Sequence, residues 1–237
     1  MIKKLLYGLF VLAFAFSYAQ VQTDSKFQQV QQKEKEPSYE DLMKSTLSIF
    51  ESATTSQAYQ TAYEDFLKIG KKERSLWIPY YYAAFAQKKR GDLFLKENKI
   101  NELDDAIYYG QKALDESKKL SPDNVENMVI QKYFYQQRKL KVPSEIYQTG
   151  GPLALQVLSS AYKLDSNNPR VLMVKAEDLV NTPKEYGGNK EKGIEMYRKA
   201  LTQFDNYKVK LGKDRKPILF YPTWGKDIVE EVLQKSK

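Results

Sequence analysis

Read from its N-terminus, the chain passes through three textures of apolar and polar positions. Leu5 to Phe16 is an almost unbroken apolar run behind Lys3 and Lys4. Residues 20–37 then show no apolar period, with Gln28, Gln29, Gln31 and Gln32 followed by Lys33, Glu34, Lys35 and Glu36. From Ser38 onward apolar residues recur every three or four positions between short polar turns, the spacing of amphipathic helices. Leu42, Leu47, Ile49 and Phe50 mark a first helix; Ala58, Ala62, Phe66 and Ile69 mark a second, which Gly70 is expected to end. A third is predicted over residues 76–89 through Trp77, Tyr80, Ala83, Ala84 and Gln87, stopping near Gly91 and Asp92, and a fourth over 101–120. At the next junction Ser121 is expected to cap and Pro122 to take the first helical position, where a missing N–H costs nothing. Asn168 and Pro169 repeat that device between helices over 154–164 and 171–179.

The first texture reads as an export signal. A charged head, an apolar run of 12 residues and a small-x-small exit at Ser17, Tyr18 and Ala19 place cleavage after Ala19. The run is shorter than the ~20 residues needed to span a bilayer, so no stable membrane anchor is expected after cleavage. The predicted organisation is a signal peptide over 1–19, a flexible polar leader over 20–37, a helical-hairpin domain over 38–212 and a C-terminal cap segment of the same domain over 213–237. Ser38 and Asp41 supply the N-cap signature at the start of the domain. The expected location is the periplasm of a Gram-negative cell, with secretion as the alternative.

Within the helical region a small residue recurs at one spacing. It appears as Gly110, Leu114 and Ser117 ahead of Leu120, Ser121, Pro122, Asp123 and Asn124. It returns as Ala154, Leu158 and Ala161 ahead of Leu164, Asp165, Ser166, Asn167, Asn168 and Pro169, and again as Gly193, Tyr197 and Ala200. These stretches resemble the second helix and inter-repeat turn of the tetratricopeptide repeat. Trp77 to Ala84, Asn168 to Arg170 and Thr182 to Gly188 further resemble a group of exported tetratricopeptide-like proteins of Gram-negative bacteria, mostly without assigned activity. The resemblance covers residues 50–205. It implies an all-α fold of stacked helical hairpins forming a tetratricopeptide-like right-handed superhelix, because a single hairpin cannot bury its apolar face. The spacing is irregular, so inserted loops are expected between Gly91–Asp92 and Ala106, over 139–151 and over 181–188. The tail should carry a short apolar run at 218–221 that could be extended, then a final helix bearing Ile228, Val232 and Leu233 that covers the last hairpin.

Composition narrows the chemistry. The 237 residues include neither histidine nor cysteine, which removes imidazole bases, thiol nucleophiles, zinc-thiolate sites and disulfides. No catalytic residue, metal ligand or cofactor is assigned. Ser160 and Lys163 have the Ser-x-x-Lys spacing of acyl-transfer enzymes without the companion motifs. The acidic pairs Glu102/Asp105, Glu177/Asp178 and Glu230/Glu231 read as charged helix faces rather than a glycosidase pair. Gly150–Gly151 and Gly187–Gly188, each before a helix, read as turns rather than phosphate cradles. The net charge of +8 rests on lysines spread over most helices, with six arginines among 38 basic residues. Lysine is a hydrated point charge, so nucleic acid is not an expected partner.

Tyrosine is in excess, at 18 residues. Tyr80, Tyr81 and Tyr82 are successive and differ by about 100° around a helix, so at least one should face outward. Registering the third helix on the repeat implied by the resemblance, with Trp77 first, sends Ile78, Tyr81, Phe85 and Lys88 to the concave side. Pro169 as a first position adds Arg170, Met173 and Glu177, and Val125 adds Val129 and Tyr133. Lys132 is anomalous there, at a position where the family prefers a small residue. The reading is a non-catalytic module that binds a protein or peptide on a concave aromatic groove. A carboxylate-based glycan- or envelope-handling enzyme and a purely structural envelope subunit are the alternatives, and the sequence leaves the oligomeric state open.

Overall fold

The computed structural model describes residues 36–141, 150–206 and 218–236. The expected signal peptide, nearly all of the leader, the centre of the 139–151 insertion and the charged stretch at 213–216 lie outside the described residues. The compact unit that begins at Tyr39 is all-α among the described residues. Its helices are α1 (Tyr39–Ser52), α2 (Ser56–Lys72), α3 (Trp77–Lys96), α4 (Ile100–Leu120), α5 (Val125–Lys141), α6 (Gly150–Leu164), α7 (Pro169–Asn181), α8 (Lys190–Asn206) and α9 (Lys226–Lys235), with a 3₁₀ turn at Lys184–Tyr186.

The helices stack as hairpins because each carries an apolar stripe that its neighbours cover. In α4 the stripe Leu103, Ala106, Ile107, Gly110, Ala113, Leu114 and Ser117 is buried throughout. The two matching sets, Ala154, Leu158 and Ala161 on α6 and Gly193, Tyr197 and Ala200 on α8, are buried as well. Burying one Leu or Ile side chain stabilises by about 1.5–3 kcal/mol, so these stripes dominate the stacking. Consecutive helices touch, and α3, α5 and α7 also touch in series, forming an inner layer with α4 and α6 outside it. Side-chain caps start several helices. Thr55 accepts from the Ala58 N–H at 3.2 Å, and Asn168 accepts from the Arg170 and Val171 N–H groups at 3.0 and 3.1 Å. Each such cap contributes about 1 kcal/mol.

Several expectations are corrected. Gly70 and Gly91 do not terminate helices: α2 runs to Lys72 and α3 to Lys96. Both glycines permit close approach, since a Cβ would stand 2.8 Å from the Tyr80 ring at Gly70 and 2.8 Å from the Gln137 amide at Gly91. The insertion expected before Ala106 is therefore absorbed as extra helix in α3, leaving only residues 97–99 between α3 and α4. Helix α5 starts at Val125 rather than Pro122, because Asn124 accepts from the Glu126 N–H at 2.9 Å while Ser121 closes α4. The run at 218–221 is not extended. It bends through turns, with Phe220 at φ 59°.

Candidate functional site

The nine residues expected to line an open groove are placed on α3, α5 and α7, but they do not form an open surface. Ile78, Tyr81, Phe85, Val129, Tyr133, Arg170 and Met173 are buried, while Lys88 and Glu177 are half-buried. The cover is the chain's own tail. Trp224 stacks against Phe85 with ring centroids 4.5 Å apart and donates its indole N–H to the Tyr81 hydroxyl at 2.7 Å. Gly225 follows in the left-handed region at φ 108°, where its missing Cβ clears Phe204 and the Met173 sulfur. Trp224 thereby touches both apolar clusters of the unit, one built on α1–α5 and one on α5–α9. Tyr81 and Tyr82 are both buried, and Tyr80 is the member of the triplet left half-exposed against Gly70.

A polar hub locks this cover. Arg170 donates from Nε to Glu126 Oε2 at 2.5 Å and from Nη2 to Oε1 at 2.9 Å, and both side chains are at most 1% exposed. Glu126 Oε1 also accepts from Asn168 Nδ2 at 2.8 Å and from the Tyr221 hydroxyl at 3.0 Å, and Arg170 Nη1 donates to the Trp224 carbonyl at 3.3 Å. A paired, buried charge of this kind fixes geometry more than it adds stability, and removing one partner is costly. Burial pushes the Tyr81 phenol well above the ordinary tyrosine value, with the Glu126 carboxylate adding to the effect. Tyr133 is raised in the same way by burial and by Glu177, to which its hydroxyl donates at 3.0 Å. Lys88 sits 4.1 Å above the Tyr133 ring.

The open concavity lies elsewhere. Helix α6 packs on α5 and only loosely on α7, and the space left between them is a half-open cleft of about 870 Å³, also lined by Tyr186 and Gly187 from the turn after α7. Its α6 wall is Gly151, Ala154, Leu155 and Leu158; its α7 wall is Lys175, Asp178, Leu179 and Thr182, spaced three and four apart so that they share a face. Leu155 and Tyr186 are 63% and 71% exposed, an uncommon state for large apolar side chains set together on a concave surface. The volume falls in the range of small-molecule sites. Lys132, 1% exposed, accounts for its anomalous position: its Nζ donates to Asp178 at 2.7 Å and to Gln136 at 2.9 Å on the cleft floor.

The remaining sequence candidates are dispersed. Ser160 and Lys163 are exposed on α6. Glu177 and Asp178 bond different partners, Tyr133 and Lys132, and among the described residues no group of acidic side chains could hold a metal ion. Both glycine pairs border the cleft. Gly187 has φ 91°, and a Cβ on Gly188 would stand 1.6 Å from the Thr182 carbonyl oxygen, so this turn demands glycine. Sequence reasoning missed Glu126, and missed Leu155, Lys175, Leu179 and Tyr186 as a set. The one signal available was on α6, whose apolar residues Leu153, Leu155, Val157, Leu158 and Leu164 exceed a single stripe.

No family model matches the chain, and no curated protein matches it. Among solved structures its fold is similar to that of the HusA haemophore from Porphyromonas gingivalis, at 24% identity and a TM-score of 0.68, over 84% of this chain and 93% of that one. Among the described residues no helix is long and apolar enough to cross a membrane.

Proposed function

We propose that this chain is an exported, non-catalytic carrier that holds an apolar, porphyrin-sized ligand in the cleft between α5, α6 and α7, on a frame of degenerate tetratricopeptide-like hairpins. The observation that carries the reading is the cleft itself: about 870 Å³, walled by Leu155, Leu158, Leu179 and Tyr186, with lysines at its floor and edge. Likeness in fold to a haemophore supports a tetrapyrrole as the cargo. The concave aromatic face, where a peptide partner was expected, is taken by Tyr221 and Trp224 of the same chain, so the ligand site moves to the outer side of the inner layer.

The residues fit such a cargo in a particular way. The chain has no histidine and no cysteine, which leaves faces, edges and carboxylates of the macrocycle as the handles, with a tyrosine oxygen as the remaining side-chain type known to ligate haem iron without sulfur or imidazole. Among the described residues Tyr186 is the phenol on the cleft wall. Glu177 and Asp178, the acidic pair closest to the site, are tied to Tyr133 and Lys132, which supports carriage over turnover.

Absorbance titration with haemin tests the reading. Saturable binding by the wild-type chain is expected, and Leu155→Glu should weaken it at least about tenfold, because an exposed wall residue then sets a carboxylate against the apolar plane. Equal binding by both proteins, or none by the wild type, contradicts it.

A further inference from the structure

The two lysines of the cleft differ in what they have to offer a ligand. Lys132 is sealed, with a side chain 2% exposed, and its charge is met by Asp178 at 2.7 Å. Lys175 lies half-exposed on the cleft face of α7, and its Nζ stands 4.6 Å from the centroid of the Tyr162 ring. No described carboxylate forms an ion pair with it. An aromatic face orients an ammonium group without forming an ion pair with it, so Lys175 remains open to an incoming anion. The other described polar groups at that wall, Ser159 on α6, Asn181 at the end of α7 and Thr182 just after it, are uncharged. Among the described residues Asp178, one turn along α7, is the acidic group of the lining, and its partner Lys132 offsets it. The cleft therefore has an apolar body, bounded by Leu155, Leu179 and Tyr186, and one open cationic edge at Lys175.

We infer that Lys175 is the specificity-determining anchor of the cleft, and that the ligand is an apolar molecule bearing a carboxylate that pairs with it. This rests on the cleft being the carrier site proposed above and names the chemistry that site selects. Lys175 and the carboxylate form a charge-assisted hydrogen bond at the cleft edge, while the apolar body excludes water along α6. Lys132 and Asp178 hold α5 to α7 and set the floor.

Protoporphyrin IX and its dimethyl ester, two probes with the same ring and with or without free carboxylates, are titrated into the wild-type chain, Lys175→Met and Lys175→Arg. The wild type is expected to bind the free acid about tenfold more tightly than the ester, the size of one charge-assisted contact. Lys175→Met should lose that preference by weakening the acid alone, with ester affinity and melting temperature unchanged, and Lys175→Arg should restore it. Equal affinity of the wild type for acid and ester, or a Lys175→Met protein that keeps the preference, overturns the anchor while leaving the cleft as a carrier site. Binding of neither probe by the wild type overturns the carrier reading and the anchor with it.

Discussion

On α5 and α7, residues one position apart in sequence are divided between two opposite environments. Tyr133, in the apolar cluster that Trp224 packs against, donates to Glu177; Lys132 donates to Asp178 on the floor of the cleft. These two bonds tie the same pair of helices, yet one side is filled by Trp224, Tyr221 and Gly225 while the other leaves Leu155 and Tyr186 in solvent. Residue type does not separate them, since both sides hold aromatics, aliphatics and a buried cation paired with a carboxylate, Arg170 with Glu126 on one and Lys132 with Asp178 on the other. What separates them is whether another part of the chain completes the packing. The side that the tail covers is a finished core, and the cleft is an unfinished one.

The comparison breaks most severely at the hub. Glu126→Gln or Arg170→Met should destabilise by about 3–5 kcal/mol in urea unfolding, because each removes one side of a buried, bidentate ion pair. A loss below about 1 kcal/mol would mean that the tail does not seal this side of the inner helices. Trp224→Ala should cost about 3 kcal/mol by deleting a ring shared by both apolar clusters, and with protein still folded its haemin affinity should match wild type.

Alkaline titration sharpens the same contrast. Folding raises the phenol values of Tyr81 and Tyr133 well above the ordinary one, and pushes Tyr39 and Tyr197 up to about 12, in each case chiefly through burial. A group raised on folding stabilises fully below its unfolded value and loses that contribution as pH climbs. Stability should therefore hold up to about pH 10 and fall above it, as unfolded tyrosines release protons that the folded ones retain. A fraction of the tyrosinate absorbance that appears only with loss of helical circular dichroism checks this; full tyrosinate formation in a helical protein would refute burial.

At the cleft the effects on stability should be smaller and those on binding larger. Gly188→Ala forces the turn off the Thr182 carbonyl and should weaken haemin binding with a modest fall in melting temperature. Leu155→Gln should change stability by at most about 0.5 kcal/mol, as an exposed substitution, and still reduce affinity.

The helical stripes were legible because they are local: Gly110, Leu114 and Ser117 are buried by the helices next in sequence. The Asn168–Pro169 helix start was legible for the same reason. The seal was not, because the Tyr221–Glu126 bond spans 95 residues and the Trp224–Tyr81 bond 143. Nothing in a period of three or four announces that a tail returns to the face that the inner helices share. Register thus grouped Tyr81, Phe85 and Arg170 on one side without saying what fills it. The cleft was hidden for a complementary reason. It arises from the sparse packing between α6 and α7, and its trace in sequence is confined to surplus leucines such as Leu155 and to glycines at 187 and 188.

Methyl chemical shifts recorded during titration with iron-free protoporphyrin IX test most directly that the cleft, and not the concave face, holds the ligand. Ring-current shifts should appear at Leu155, Leu158 and Leu179 and saturate together, with Ile78 and Val129 unmoved. Shifts centred on Ile78 and Val129 with Leu155 silent would contradict the account.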